Sequence, residues 1–232
     1  MQELRQEGFP TMRLVVPSVV DVLYKTLRNE ILQGGIPGGS LLTELAVASQ
    51  YGVARPTAKA ALERLIQEGL LRRGTHKSAR VPLLTERDVR DLYESRTFFE
   101  RQVLRLLIRQ RAEVPEPTRL AHTRMTEVAD HGEESLLNFV KADVEFHCGL
   151  VDALASDRTS RMYRQLMGET QLCMAQVQFQ HLLDPHVIID EHKQVLAAID
   201  EGDTDRAVMC IEAHLQNACQ HLLERLDTND GR

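Results

Sequence analysis

The segment LTELAVASQYGVARPTAKAALERL, residues 42–65, decides the fold of the N-terminal third of the chain. Thr43 can cap a short helix, a glycine turn follows it, and a second helix begins near Arg55. Small residues, Ala48 and Ala61, lie where the two helices would cross. Because helices cross closely only over small residues joined by an open turn, the segment predicts a helix-turn-helix.

The second of these helices presents polar and basic side chains at its start, at Arg55, Thr57 and Lys59. Such side chains can reach phosphates and base edges in a major groove, although they could also be the solvated surface of a small helical domain. Residues 70–82, LLRRGTHKSARVP, predict a two-stranded wing with a basic tip. The predicted partner is double-stranded operator DNA, and the candidate contacts are Thr43, Arg55, Thr57, Lys59, Arg73, His76 and Lys77.

The rest of the chain predicts a mainly α protein. An amphipathic helix over residues 18–33 precedes the helix-turn-helix, and short breaks separate the later helices, which favours antiparallel packing into a six-helix bundle. The predicted bundle helices are 86–111, 116–131, 134–155, 158–181, 186–201 and 203–228. The predicted units are an N-terminal arm (1–17), a winged helix-turn-helix domain (18–82) and an all-helical domain (83–232), to which the motifs below assign metal and effector binding.

Composition and charge agree with this division. The 232 residues are 43% hydrophobic, 27% charged and only 4% aromatic, as expected of a helical globular protein. Residues 1–82 hold 11 Lys and Arg against 7 Asp and Glu, whereas the remaining 150 hold 17 against 27. The basic part is therefore the expected nucleic-acid surface. The sequence has no apolar run of 18 residues, so we expect no membrane partner and a cytoplasmic location.

The spacing of one aspartate and three histidines predicts a metal site. Asp143 and His147 are four residues apart, so they project from the same face of one helix. His192 and His214 each lie 11 residues from Asp203, at the turn of the last helix hairpin, so the two imidazoles should be level. Three imidazoles and a carboxylate suit zinc, nickel or a similar divalent ion. Each residue could instead be a hydrogen-bonded core or surface group.

The N-terminal residues 24–73 resemble the GntR-type winged-helix regulators, above all in the G-V-x-R-x-x-x-K-x-A-L segment that starts at Gly52. The resemblance implies that Arg55, Lys59 and the wing tip contact operator DNA. Lys59 stands where the family usually has arginine, so a forked guanine contact would become a point-charge contact.

The C-terminal part resembles the FCD ligand-binding domain of the FadR branch, VanR-like subgroup, in LYESRTFFE (92–100) and in its D-x-x-x-H, E-H and A-H-L motifs. The resemblance implies a homodimeric regulator, more often a repressor, in which Asp143, His147, His192 and His214 hold the metal. It implies that a small carboxylate or sugar acid binds there, gripped by Arg96 and with Asn217 as a weaker contact. Arg96 could instead form an ordinary pair with Glu100, Asn217 could be merely solvated, and His221 is the best substitute ligand.

Two other functions fit the same pattern. One is a metal-dependent helical hydrolase fused to a DNA-binding unit, which would need a carboxylate near the metal as general base. We expect Glu145 and Glu191 to point away from the ligand face, which disfavours this class. The other is a regulator whose metal is purely structural.

Overall fold

The structure is a computed structural model that describes residues 17–74, 78–129, 133–176 and 184–229, with only the backbone of 133–136 and 227–229. Within these residues the helices are α1 (Val19–Leu32), α2 (Glu44–Tyr51), α3 (Arg55–Gln67), α4 (Glu86–Arg109), α5 (Glu116–Val128), α6 (Glu133–Asp152), α7 (Asp157–Gln176), α8 (Pro185–Glu201) and α9 (Thr204–Asn229). The strands are β1 (Leu41–Thr43), β2 (Arg72–Arg73) and β3 (Ser78–Arg80). The predicted mainly α architecture is confirmed.

Side-chain caps fix where several helices begin. Thr43 Oγ1 accepts a hydrogen bond from the Ala46 amide at 3.1 Å, so Thr43 caps α2 as the sequence predicts. Thr85 and Asp88 form a reciprocal capping box that starts α4. Thr43 and Thr85 therefore fix the starts of α2 and α4, whereas α3 begins at Arg55 without a side-chain cap.

The wing has one strand more than the sequence predicts. Strand β3 pairs on one side with β2, as expected, and on the other side with β1, in the order β1-β3-β2. In this register Leu42 lies opposite Ala79, and both are buried. The two predicted strands of the wing are confirmed, and only β1 was missed, because the segment 41–43 is too short to show an alternating pattern of its own.

The helices of the bundle pack against one another in pairs. Helices α8 and α9 form a hairpin around Gly202, whose φ of +72° is readily adopted only by glycine. Helix α4 packs along α9, and α6 packs against both α5 and α7. The ends of the predicted helices lie within three residues of these elements wherever the structure describes them; residues 130–131 of the second predicted helix and 177–181 of the fourth lie outside the described residues.

Helix α7 also contacts the winged helix-turn-helix of residues 18–82, called the head below. A Cβ atom on Gly168 would lie only 1.7 Å from the Glu68 carbonyl oxygen, so glycine is required for this close approach. Arg28 of α1 bonds to Glu68 at 2.7 Å and also to Gln171 of α7. The Gln176 side chain donates to the Pro82 carbonyl at 2.5 Å. The head is therefore tied to one helix of the bundle.

Among the helices of the described ranges, none is long and apolar enough to cross a membrane.

Candidate metal centre and DNA-binding surface

The four predicted ligands converge inside the bundle. Asp143 and His147 come from α6, His192 from α8 and His214 from α9. Their ligand atoms all lie within 4.8 Å of one another, and all four side chains are buried. The level placement of His192 and His214 across the helix hairpin therefore matches the prediction from their equal distance to the turn.

The distances between the ligand atoms suit a small cation. His214 Nε2 lies 3.2 Å from His147 Nε2 and 3.2 Å from His192 Nε2. Asp143 Oδ1 lies 3.8 Å from His147 Nε2 and 3.6 Å from His192 Nε2. A tetrahedral ion about 2.0–2.1 Å from its nitrogen ligands holds them about 3.3 Å apart. The two Nε2–Nε2 distances match this spacing, and the Asp143 distances are about 0.3–0.5 Å longer.

Two carboxylates fix the orientation of the imidazole rings. Glu100 Oε2 lies 2.6 Å from His147 Nδ1, and Glu191 Oε2 lies 2.7 Å from His214 Nδ1. Because an ionised carboxylate only accepts hydrogen bonds, each Nδ1 must carry the hydrogen. With the hydrogen on Nδ1, the neutral form of each ring directs its Nε2 lone pair toward the other ring, 3.2 Å away. Two facing lone pairs repel unless a cation lies between them, so the donor set fits a divalent metal.

Glu100 is the centre of a buried polar network on the outer side of His147. Its Oε1 accepts hydrogen bonds from Arg96 Nε at 3.1 Å and from the Tyr163 hydroxyl at 2.6 Å. Burial alone would raise the pKa of Glu100, but its interactions with His147, Arg96 and Tyr163 lower it to about 2. Glu100 is therefore ionised and keeps the His147 ring in one tautomer.

His192 is held differently. Its Nδ1 is buried and has no hydrogen-bond partner within the described ranges. Its ring stacks on Phe146 with centroids 4.0 Å apart and planes inclined by 6°. Burial, with the nearby His214 and His147 rings, holds the pKa of His192 well below its usual value. His192 is therefore a neutral imidazole positioned by packing, and its lone pair is free for a metal.

Arg96 forms the pair with Glu100 that the sequence left open as an alternative, and its predicted role as an effector contact stays a prediction. Its Nε pairs with Glu100, while its Nη2 is buried without a hydrogen-bond partner among the residues that the structure describes. Arg96 lines a small cavity next to the metal centre, which also touches Asp143 and His214. The guanidinium thus has a free donor at a cavity beside the predicted ligands, where an anion could bind.

The structure places three polar residues near the site differently from the sequence predictions, namely Asn217, Glu191 and His221. Asn217 is exposed and does not line the cavity; its side chain donates to Glu191 Oε1 at 2.8 Å. The expectation that Glu191 points away from the site was wrong, because α9 brings His214 Nδ1 to it. His221 lies outside the ligand cluster, lines the cavity and bonds through Nδ1 to the Asn217 carbonyl at 2.7 Å. Glu145 pairs instead with Arg124, as expected of a surface group.

The sequence reasoning missed three buried groups. Glu100 was recognised only as a partner for Arg96, and Tyr163 and Tyr93 were not considered. A signal existed for Tyr93, which is three residues before Arg96 on the same face of α4. No local signal existed for Tyr163, because its contact with Glu100 depends on how α7 packs against α4.

The predicted DNA contacts lie around the start of α3. Arg55 is 60% exposed and lies 3.9 Å from Glu44, and Lys59 is exposed. Thr57 is half-buried, Thr43 is used as the α2 cap, and Arg73 forms a two-pronged pair with Glu63 at 2.8 and 2.5 Å. His76 and Lys77 lie outside the described residues.

We expect Glu100→Gln to weaken metal binding about 10- to 100-fold, because an amide no longer fixes His147 in the tautomer that offers Nε2. The measurement is competition for zinc against a chromophoric chelator. Glu145→Gln, which changes a surface carboxylate on α6, is the control and should bind zinc like the parent protein. Equal zinc affinity in the Glu100 and Glu145 variants would show that Glu100 does not position the ligand.

Comparison with known protein families gives two matches along the chain. Residues 20–81 match the model described as "Bacterial regulatory proteins, gntR family", and residues 91–217 match the model of the FCD domain. The second match alone covers more than half of the chain.

Individual relatives agree with these matches. A protein of Paenarthrobacter nicotinovorans named "Probable D-xylose utilization operon transcriptional repressor" is 26% identical over 203 residues, 88% of either chain. The gluconate operon transcriptional repressor of Bacillus subtilis is 27% identical over 199 residues, 84% of this chain and 80% of the relative. The structure of McbR/YncC from Escherichia coli has the same fold, with a TM-score of 0.70 at 16% identity, covering 90% of this chain and 99% of that one.

Proposed function

Since this chain belongs to the gntR family of bacterial regulatory proteins and carries an FCD domain, we propose that a small carboxylate or sugar acid, bound beside a divalent metal, controls its affinity for operator DNA. The chain is a transcriptional regulator, as its relatives are. Because regulators of this family are not enzymes, the hydrolase alternative is rejected. Repression is the mode of action we favour, since both relatives described above are named as repressors.

The observation that carries the proposal is the pair of facing Nε2 atoms of His147 and His214, 3.2 Å apart, with each ring fixed through Nδ1 by a carboxylate. Nitrogen-rich ligand sets of this kind suit zinc or nickel. Asp143, His147, His192 and His214 would hold the ion. The bound ion would supply a positive charge to which an effector carboxylate can bind.

Arg96 is the second anchor of the proposed effector. A guanidinium can donate two parallel hydrogen bonds to a carboxylate, and Arg96 Nη2 is buried with no partner in the described part of the chain. Positive charges from the metal and from Arg96 would then flank one small cavity. This arrangement favours an anionic ligand. Asn217 would act on the ligand only indirectly, through Glu191 and His214.

Helix α7 is the proposed route from the effector to the head. Through Tyr163 it bonds to Glu100, which bonds to His147 in the metal centre. Through Gly168 and Gln171 the same helix contacts the head. A ligand that moved Glu100 or Tyr163 would therefore shift the support of the head. The proposed boundary between the DNA-binding unit (18–82) and the effector unit (83–232) lies beside this contact.

We assign the DNA contacts to Arg55, Thr57 and Lys59 on α3, with further contacts from Thr43 and the wing residues Arg73, His76 and Lys77. Specific recognition of an operator by this fold commonly uses two copies whose recognition helices enter successive major grooves, about 34 Å apart. A homodimer would provide this arrangement. For Arg73 to reach DNA, its pair with Glu63 must open.

The experiment that tests the proposed function measures operator affinity as a function of metal and carboxylate. A duplex selected from a random library serves as operator, and fluorescence anisotropy follows binding. With zinc bound, we expect at least one acid of a panel of aliphatic and sugar acids to change the affinity about 5- to 150-fold, the usual range of allosteric coupling. After removal of zinc by chelation the same acid should have no effect.

Two other results have definite meanings. If zinc raises the melting temperature but no acid changes either melting or operator affinity, the metal is structural and the proposed control by an effector is wrong. If acids act equally on zinc-loaded and chelated protein, the effector does not bind at the metal.

A further inference from the structure

The cavity beside the metal centre is small and has two free hydrogen-bond donors. It has about 20 Å³ of open space, room for one or two water molecules, so a larger ligand enters only if the walls move apart. Arg96 Nη2 and the Tyr93 hydroxyl are buried beside it, and neither has a hydrogen-bond partner among the described residues. Leaving such groups unpaired is costly in a protein interior. Two donors at one wall are what the two oxygens of a carboxylate require.

The remaining wall is almost wholly apolar. It is formed by residues from α6, α7, α8 and α9, namely Phe139, Val140, Met174, Ile188, Ala218 and Leu222. These side chains offer no hydrogen-bonding group to a ligand, except for the weakly accepting thioether sulfur of Met174. A ligand body that fills this space would therefore be surrounded by carbon and sulfur.

Among the described residues that line the cavity, His221 is the one further polar group besides Arg96, Tyr93 and the metal ligands. Its Nδ1 bonds to the Asn217 carbonyl, which only accepts, so Nδ1 carries a hydrogen. The ring then has a single nitrogen, Nε2, left for a ligand. Asp143 and His214 also line the cavity, but their ligand atoms belong to the metal centre.

From this count we infer that the effector is a short carboxylate with an apolar body, and not a polyhydroxylated sugar acid. This inference rests on the proposed function and narrows its ligand class. A sugar acid such as gluconate has a hydroxyl on every carbon beyond its carboxylate, and the described walls could bond to only one or two of them. Each hydroxyl buried without a partner weakens binding. The ligand would therefore differ from that suggested by the name of the gluconate repressor relative.

The test compares matched acids on the zinc-loaded full chain by isothermal titration calorimetry. Butyrate and 3-hydroxybutyrate differ by one hydroxyl that is remote from the carboxylate, so the hydroxyl is tested against the walls and not as a metal ligand. Gluconate is the sugar-acid probe. We expect butyrate to bind at least about fivefold more tightly than 3-hydroxybutyrate and more tightly still than gluconate.

Three variants separate the parts of the inference. Met174→Gln places an amide in the wall and should reduce the preference for butyrate, whereas Met209→Gln, at an exposed position of α9, should leave it unchanged. Tyr93→Phe removes one donor and should weaken both acids about tenfold with no loss of zinc. Zinc content and melting temperature, measured for each variant, show whether the fold and the metal centre are intact.

The outcomes are distinct. Equal or tighter binding of 3-hydroxybutyrate or gluconate would overturn the apolar class and leave the proposed function standing. If no acid binds the zinc-loaded protein, both the apolar class and the proposed effector control are wrong. If the preference for butyrate survives in Met174→Gln protein that keeps its zinc and its fold, the walls of this cavity do not determine it.

Discussion

Arg55→Ala is expected to abolish specific operator binding, lowering the affinity for the operator at least about 100-fold while affinity for unrelated DNA falls only slightly. Arg55 is the first residue of α3 and its side chain is 60% exposed. Its nearest carboxylate, Glu44, is 3.9 Å away, so no close ion pair must be broken before it reaches a guanine edge. A forked arginine–guanine contact contributes about 1–3 kcal/mol, and a dimer would lose two of them.

The matched control is Arg90→Ala. Arg90 is an arginine of α4 in the bundle that is 57% exposed and lies 3.6 Å from Glu86. The Arg90→Ala substitution removes one positive charge from a side chain of nearly the same exposure as Arg55. A loss of operator affinity shared by both variants would therefore reflect the change in net charge alone. Gel shifts with the selected operator and with a scrambled duplex provide the measurement, and thermal melting checks the fold. Unchanged operator affinity in the Arg55 variant would mean that α3 does not enter the groove.

The crossing of α2 and α3 and the starts of α2 and α4 could be predicted because each depends on residues that are close together in the sequence. The crossing of α2 and α3 depends on Ala48 and Ala61, which are small residues within one short segment. The starts of α2 and α4 depend on Thr43 and Thr85, whose caps involve residues three positions further along the chain. Such contacts are readable from spacing, and the Thr43 cap and the buried Ala48 and Ala61 lie where the sequence predicts them.

The metal centre could be predicted in part for a related reason. The pair Asp143 and His147 is fixed by the turn of one helix, and His192 and His214 are related by a hairpin whose turn is visible in the sequence. What joins the two pairs is the packing of α6 against the hairpin. No spacing encodes that packing, so the convergence of all four atoms was a hypothesis until the geometry was available.

The contacts that surround the centre were missed because they join distant segments. Tyr163 reaches Glu100 from 63 residues away, and Glu191 reaches His214 across the helix hairpin. The contact of Gly168 with Glu68 spans 100 positions. These contacts also connect the metal centre to the head. The contacts that would transmit a signal between the two therefore leave no pattern in the spacing of the sequence.

The double variant His192→Ala and His214→Ala is expected to bind less than half an equivalent of metal, measured by mass spectrometry after dialysis against zinc or nickel. Two of the four ligand atoms would be gone, and Asp143 and His147 alone form only half of a site. The substitution also leaves Glu191 without its imidazole partner. We therefore expect the metal-free variant to be somewhat less stable than the metal-free parent.

Stability in the presence of metal separates a lost site from a damaged fold. An ion at 100 times its dissociation constant stabilises the folded state by about 2.7 kcal/mol, so chelation should lower the melting temperature of the parent protein. Chelation should leave the melting temperature of the double variant unchanged, because no ion is bound to remove. His186→Ala, which removes an exposed imidazole from the same helix α8, is the control and should retain metal like the parent. A full equivalent of metal in the double variant would place the ion elsewhere in the chain, and the anchoring of a carboxylate between that ion and Arg96 would fail with it.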